Sequence, residues 1–275
     1  MVTQVSRPFQ GVLWALAVLM GTAAVARAQE KPVARLFDQV IILKELQPPA
    51  PLLEKQRRRL DAGKLDAWLK NYQGRQLMGR VLGALLARYA DQRNIQPAPE
   101  EIASLRKHLF DPALEQSRKR REKEREAQRR AIESREWTDA QLREMLKALA
   151  PGQPPGYQSP SVSAVRENPN LLFEAMDAFL ENQNRRMAEE WVRQWKVNAA
   201  LFQDYGGRVI FQQGGPEPVD AYRRFLEEQE KQGSFQILDA AMVAPFWNYL
   251  VNDKMHAFLP EAEGRRAMAR PWWEP

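Results

Sequence analysis

Apolar side chains recur every three or four residues along much of this chain, and the spacing limits the folds available to it. The longest such run begins at Asn168-Pro169, a helix cap followed by proline, and stops at Gly206-Gly207. A helix of about 35 residues would extend roughly 50 Å. Its apolar stripe consists of Leu172, Met176, Phe179, Leu180, Met187, Trp191 and Trp195. The periodicity predicts a long amphipathic helix in a mainly helical fold.

Further helices and a few short strands are predicted from local patterns. A stripe from Leu65 to Tyr89 predicts a second long helix that stops near Asn94, and Pro99-Glu100-Glu101 begins another. Asp239 is the expected N-cap of a last helix, whose apolar residues are Met242, Phe246, Trp247, Leu250 and Phe258.

Three segments are candidates for β-structure. Residues 40–43 are either a short strand or a first helical turn, and residues 208–213 are the best strand candidate. A second strand is predicted at residues 235–237. It would pair in parallel with residues 208–213 if the intervening helix is a crossover. The expected fold class is all-α, mainly helical and elongated, with a small two-stranded β element near residues 208–237.

Residues 1–28 have the three parts of a secretory signal. Arg7 gives a basic start, residues 11–26 are almost purely apolar, and Ala26-Arg27-Ala28 places small residues at a cleavage site. The apolar run is shorter than the roughly 20 residues of a membrane-spanning helix. We expect cleavage after Ala28 and a periplasmic or secreted protein. An uncleaved N-terminal anchor is the alternative.

The chain has no cysteine, although an exported protein can form disulfides. Burial of apolar side chains must therefore hold the fold together. The clearest linker is residues 151–161, with four prolines and two glycines. We predict an N-terminal helical domain over 29–150, a linker over 151–166, a C-terminal helical domain with a short β element over 167–260, and a tail over 261–275.

One predicted helix is polar on all sides. Between Arg118 and Arg130 eight residues are basic and three are acidic. Such a helix is either a solvated strut or a surface for an acidic partner or lipid headgroups. We expect an exposed basic helix over residues 115–130. In the second interpretation, an anionic surface would contact Arg118, Arg121, Arg125 and Arg129.

Charge argues against a nucleic-acid partner. Loss of residues 1–28 removes two of the 41 basic residues and none of the 35 acidic ones, so the mature net charge is +4. This excess is small for a protein that binds a polyanion. An anionic membrane surface is a weaker alternative partner.

The residues that usually carry catalysis are few. His108 and His256 are the only histidines, and without cysteines they do not form a cluster of metal ligands. We expect no cofactor and no metal, and the sequence favours a protein that is not an enzyme. The alternative is an enzyme with a site near Arg208, Asp220, Asp253 and His256, which would have to converge in one pocket.

Residues 64–109 resemble the helical N-terminal region of periplasmic chaperones of the SurA and PpiD type. The resemblance is carried by Leu82, Leu85, Leu86, Tyr89, Ala90 and Ile95, followed by Pro97-Ala98-Pro99-Glu100-Glu101-Ile102. The opening strand with an Asn-Gly turn that is usual in that family is not evident, nor is an isomerase domain of the parvulin type. The resemblance implies a cofactor-free protein that holds unfolded envelope proteins.

The function expected from these observations is that of a non-catalytic periplasmic chaperone-like or scaffolding protein. It would bind unfolded or partner polypeptides through apolar helix grooves. Stripes at helical spacing are usually core, but methionine and aromatic side chains also suit an adaptable groove. The residues expected to line such a groove are Met176, Phe179, Met187, Trp191 and Trp195.

Overall fold

A computed structural model describes residues 31–274. In this range it contains ten α-helices and five short strands, and every strand pairing is antiparallel. The predicted class, mainly helical with a small β element, is confirmed. The predicted signal and its cleavage site lie outside the described residues. Within residues 31–274, no helix combines the length and apolar composition that crossing a bilayer requires.

The elements are numbered in chain order. The helices are α1 (Ala50–Arg57), α2 (Ala62–Gln92), α3 (Pro99–Leu105), α4 (Asp111–Glu133), α5 (Asp139–Leu149), α6 (Val162–Glu167), α7 (Asn170–Tyr205), α8 (Val219–Lys231), α9 (Ala240–Val251) and α10 (Glu261–Ala269). The strands are β1 (Pro32–Leu36), β2 (Gln39–Ile42), β3 (Ile210–Gln212), β4 (Gly215–Glu217) and β5 (Phe235–Ile237). A π-helical turn, Arg106–Phe110, joins α3 to α4.

The chain divides into two compact units, which do not follow the predicted domain boundaries. The first unit comprises residues 31–85 and 223–255, and the second comprises residues 86–222 and 256–274. Each unit is therefore built from two separate stretches of chain. Predicting domains from a linker assumes continuous domains, and this assumption does not hold here.

The first unit contains a three-stranded antiparallel sheet with β1 in the centre. Ala34 pairs with Ile41 on β2 and with Ile237 on β5. Residues 37–38 form the turn between β1 and β2, and Phe37 adopts a positive φ of 52° there. This turn, Phe37-Asp38, is not an Asn-Gly pair.

The predicted parallel pairing of residues 208–213 with residues 235–237 is wrong. The chain reverses at Gln213-Gly214, so that β3 pairs with β4 in a two-residue hairpin. The strand β5 pairs instead with β1, about 200 residues away in sequence, and Gln236 accepts a hydrogen bond of 2.8 Å from Arg35. A crossover joins strands that are neighbours in sequence, whereas β5 pairs with a strand from a distant part of the chain.

The second unit is organised along α7, which confirms the predicted long helix. Near its start, Leu172 belongs to an apolar cluster with Ile132, Leu142, Leu146 and Val165. Further along, Ala188 and Val192 pack with Leu105 and Trp273. The helix ends at Gly206, whose φ of +61° suits glycine. The predicted helix stop near Asn94, where φ is +52°, and the predicted helix start at Pro99 are also confirmed.

The predicted linker is held against α7. Asn182, which is 2% exposed, donates a 2.9 Å hydrogen bond to the carbonyl of Gly152, and Gln153 donates one of 2.7 Å to the carbonyl of Ala175. The apolar cluster around Leu172 also joins residues from both sides of the segment. Proline and glycine therefore mark a change of direction here inside one compact unit.

The predicted tail over residues 261–275 contains a helix. Gly264 and Met268 of α10 are buried, and Trp273, at 5% exposure, packs in the core of the second unit. The indole of Trp273 lies edge-on to Trp195, with ring centroids 5.4 Å apart. Residues 261–274 are therefore packed in the second unit.

Candidate functional site

The stripe of α7 that was expected to form a groove is largely used for internal packing. Trp191 lies between Phe110 and Trp272, with ring centroids 5.1 Å and 6.1 Å away. Trp195 donates a 3.2 Å hydrogen bond from Nε1 to the carbonyl of Ala267. These tryptophans anchor α3 and the C-terminal helix on α7, so they do not form an open groove.

The other three residues of this stripe differ in exposure. Met176 packs against the cluster around Leu172, and Phe179 contacts Gly152 so closely that no side chain fits at residue 152. Met187 is 42% exposed. The core interpretation therefore holds for four of the five residues, and Met187 alone is largely open to solvent.

The four arginines predicted to contact an anionic surface lie on the inner side of α4. Arg125 makes a 2.5 Å ion pair with Asp177, and its side chain is 14% exposed. Arg129 donates a 3.0 Å hydrogen bond to Asn170. Both guanidinium groups lie over the ring of Phe173, at 5.4 Å and 5.9 Å. Cation–π contacts and long aliphatic stems allow arginine to replace apolar residues in such packing.

The other two predicted contact arginines also lie on the inner side of α4, and its glutamates lie on the outer side. Arg118 and Arg121 are half-buried, and each has one buried guanidinium nitrogen that finds no hydrogen-bond acceptor in the described structure. The exposed side of α4 carries all of its glutamates, namely Glu115, Glu122, Glu124, Glu126 and Glu133. The expectation of an exposed basic helix is corrected: its predicted contact arginines face inward, and its outer face is mixed in charge.

Three residues of the alternative enzyme site, Arg208, Asp220 and His256, belong to the second unit. Asp220, which is 6% exposed, accepts a hydrogen bond from the backbone of Arg208 and contacts the guanidinium at 2.9 Å and 3.1 Å. The guanidinium lies 4.1 Å above the ring of Phe258, which is 5.4 Å from the ring of His256. Asp253 belongs to the first unit. The Arg208–Asp220 pair fastens the start of β3 to the first turn of α8, which is a structural role.

A pocket of about 480 Å³ adjoins this pair in the second unit. Much of its wall is apolar or glycine, and three charged residues, Arg208, Glu261 and Arg265, also line it. Among the described residues, no group of three or more His, Asp or Glu side chains is placed to hold a metal ion. Both arginines at the pocket are paired with an acid, Arg208 with Asp220 and Arg265 with Glu261.

The open apolar surface lies on α9 in the first unit. This helix begins at its predicted cap, where Asp239 accepts a 3.2 Å hydrogen bond from the backbone of Ala241. A 2.7 Å ion pair with Lys31 also engages Asp239, and it lowers the pKa of that carboxyl. The predicted helix is confirmed except that it ends at Val251, before Phe258, and that α10 follows it.

Two apolar rows run along α9 on different sides. The inner row, Met242, Phe246 and Leu250, is buried, and Phe246 lies 5.6 Å from the ring of Phe235 on β5. The outer row is Val243, Trp247 and Val251, of which Val243 is 41% exposed and Val251 is 54% exposed. Trp247 is half-buried.

Met255 extends this surface beyond the end of the helix. It is 45% exposed, and its sulfur lies 3.5 Å from the amide nitrogen of Asn248. We call Val243, Trp247, Val251 and Met255 the α9 face. The sequence contains a sign of it, because the twelve residues AAMVAPFWNYLV include no charged side chain. A helix with one buried side normally has charged residues on the other.

Comparison with known proteins gives no relative for this chain. No family model, no curated protein and no solved structure matches it.

Proposed function

We propose that this protein binds apolar segments of unfolded or partner polypeptides in the cell envelope, without catalysing a reaction, and that the α9 face is the binding surface. The observation that supports the proposal is the exposure of a charge-free helix face on a folded unit. Contiguous exposed apolar patches on soluble domains often mark interaction sites. The site differs from the stripe on α7 that the sequence favoured, but the class of function is the same.

The chemistry of the face defines the segment that it would bind. Val243 and Val251 are exposed about one and three helical turns from Ala240, and Ala240 and Ala244 lie on the same side. Small alanines beside larger side chains allow another chain to approach closely. Because the helix offers no charged side chain, an uncharged apolar segment binds, and a charged one would lose hydration without compensation.

The size of the face predicts weak binding. Its four side chains are already half-covered, so their complete burial contributes on the order of 4–6 kcal/mol. Association costs at least about 4 kcal/mol in lost translational and rotational freedom. A short peptide therefore binds weakly and reversibly. An unfolded chain with several apolar segments binds better, because each release is followed by rebinding nearby.

The cellular location belongs to the same proposal. It rests on the signal pattern of residues 1–28, and the resemblance of residues 64–109 to periplasmic chaperones points to the same compartment. N-terminal sequencing of protein secreted or released from the envelope tests it. A mature chain that begins at Gln29 supports cleavage.

The binding surface is tested with the chain from Gln29 onwards. Suppression of aggregation of an unfolded outer-membrane protein is measured for the wild type and for V243S/V251S, with V40S as the matched control. Val40 is also an exposed valine of the first unit, at 53%, but it lies on β2. We expect V243S/V251S to lose most of the suppression and V40S to retain it. Equal suppression by all three proteins, or none by the wild type, would refute the proposal.

A further inference from the structure

A second, smaller pocket in the second unit lies between the β3–β4 hairpin and α10. Its volume is about 230 Å³. A cavity of about 150 Å³ already accommodates a benzene ring, so this pocket has room for one aromatic ring with a short substituent. Its wall is formed by Phe211, Trp272, Pro271 and Leu259, and Arg266 and Arg270 lie beside it.

The aromatic wall is held rigidly from behind. The indole of Trp272 lies 6.1 Å from the ring of Trp191 and 5.9 Å from that of Trp273, which is 5% exposed. At Gly215, a Cβ atom would come within 2.8 Å of the indole, so only glycine lets the ring lie against β4. Such a wall needs little ordering when a ligand binds, which reduces the entropic cost.

The ring of Phe211 packs against the indole of Trp272, and its outer side is exposed to solvent. Its ring is edge-on to Trp272 at 5.4 Å, and the side chain is 49% exposed. The rings of Phe211 and Trp272 are perpendicular. A ligand ring bound in the pocket would therefore contact the edge of one and the face of the other. Aromatic pairs in such arrangements contribute about 0.5–1.5 kcal/mol each beyond the area that they bury.

Arg266 and Arg270 are the cationic groups of the pocket. Neither Arg266 nor Arg270 forms an ion pair with an acid in residues 31–274, whereas the adjacent Arg265 is paired with Glu261. Two glutamates, Glu263 and Glu274, also line the pocket, and Glu274 accepts a 2.6 Å hydrogen bond from Ser104. Arginine binds carboxylates through two parallel hydrogen bonds, and these charge-assisted bonds are stronger than neutral ones.

We propose that this pocket binds an aromatic carboxylate, with the ring against Trp272 and Phe211 and the carboxylate on Arg266 and Arg270. Small aromatic acids have this chemistry, and so does the C-terminal aromatic residue of a polypeptide. The site lies on the second unit and involves none of the residues of the α9 face. It is therefore independent of the polypeptide binding proposed above.

Binding is measured by isothermal titration and by quenching of tryptophan fluorescence. The probes are phenylacetate and phenethylamine, which present the same ring with opposite charge. We expect saturable binding of phenylacetate and at least about tenfold weaker binding of phenethylamine, because each lost charge-assisted hydrogen bond weakens binding by about that factor. Saturable binding of a tripeptide ending in phenylalanine, with none of phenylacetate, assigns the carboxylate to a polypeptide terminus and supports the site.

The residues are tested with R266Q/R270Q and with R265Q as the matched control. Arg265 is on the same helix and exposed, but it does not border this pocket. We expect R266Q/R270Q to weaken phenylacetate binding about tenfold with an unchanged melting temperature, and R265Q to bind like the wild type. Equal weakening by R265Q, equal affinity for phenethylamine, or no saturable binding of either carboxylate would overturn the proposal.

Discussion

Gly74 on α2 lies directly against Pro245 in the middle of α9. A Cβ atom at residue 74 would overlap the side chain of Pro245 and stand 2.5 Å from its carbonyl oxygen. Pro245 cannot move freely, because the inner row of α9 is buried on both sides of it. This contact fixes which side of α9 is covered, and therefore which side displays Val243, Trp247 and Val251.

The contact predicts opposite effects for two glycines of the same helix. G74A is expected to destabilise the protein by about 1–3 kcal/mol, because the methyl group meets backbone atoms. At Gly79 nothing lies within 4 Å of a Cβ atom, so G79A should raise stability by about 0.5–1 kcal/mol through helix propensity. Urea denaturation of both variants measures the difference. A G74A variant as stable as G79A would mean that the helices are not packed here.

The ion pair between Lys31 and Asp239 predicts a pH-dependent contribution to stability. The Lys31 ammonium lowers the pKa of Asp239 below its ordinary value in the folded protein. The contribution is therefore present at neutral pH and is lost as the pH falls through the folded pKa.

The variant D239N retains the cap acceptor but not the charge. At neutral pH it should be less stable than the wild type by about 0.5 kcal/mol, since Lys31 is well exposed. At pH about 2, below the usual carboxyl range, the two proteins should have the same free energy of unfolding. A deficit that persists unchanged in acid would show that the charge is not its cause.

The inward arginines of α4 predict unequal effects of two similar substitutions. R125M leaves the Asp177 carboxylate, which is 23% exposed, without its cation. The free energy of unfolding should therefore fall by about 2 kcal/mol. R130M removes an arginine that is 81% exposed, and should change stability by less than about 0.5 kcal/mol. Chemical denaturation distinguishes the two. If α4 were a solvated strut, both variants would be equally neutral.

The attachment of residues 151–161 to α7 predicts that Asn182 stabilises this segment. N182A removes the hydrogen bond to the carbonyl of Gly152. The free energy of unfolding should fall by about 1–2 kcal/mol, because a buried carbonyl loses its donor. N184A, at a half-buried position of the same helix, is the control and should be close to neutral. Limited proteolysis should cut N182A faster than N184A within residues 153–161. Equal cutting would indicate that the segment is loose in both.

The helices were largely predictable because the information that specifies them is local. Apolar spacing along Leu172 to Trp195 predicted α7, and the Pro99-Glu100-Glu101 start and the Asp239 cap were found where expected. Caps, prolines and periodicity act over a few residues, so the sequence shows them directly. The mainly helical class follows from the same patterns.

Tertiary structure decided which surfaces are used. Arg125 and Arg129 look solvated in sequence, yet the aromatic ring and the carboxylate that receive them come from α7, some 40 to 50 residues away. The strand β5 found its partner at the other end of the chain. On α9 both rows are apolar, and contacts of Pro245 with Gly74 and of Phe246 with Phe235 cover one side of the helix. Local pattern determines that a helix forms, whereas the side that meets solvent depends on partners distant in sequence.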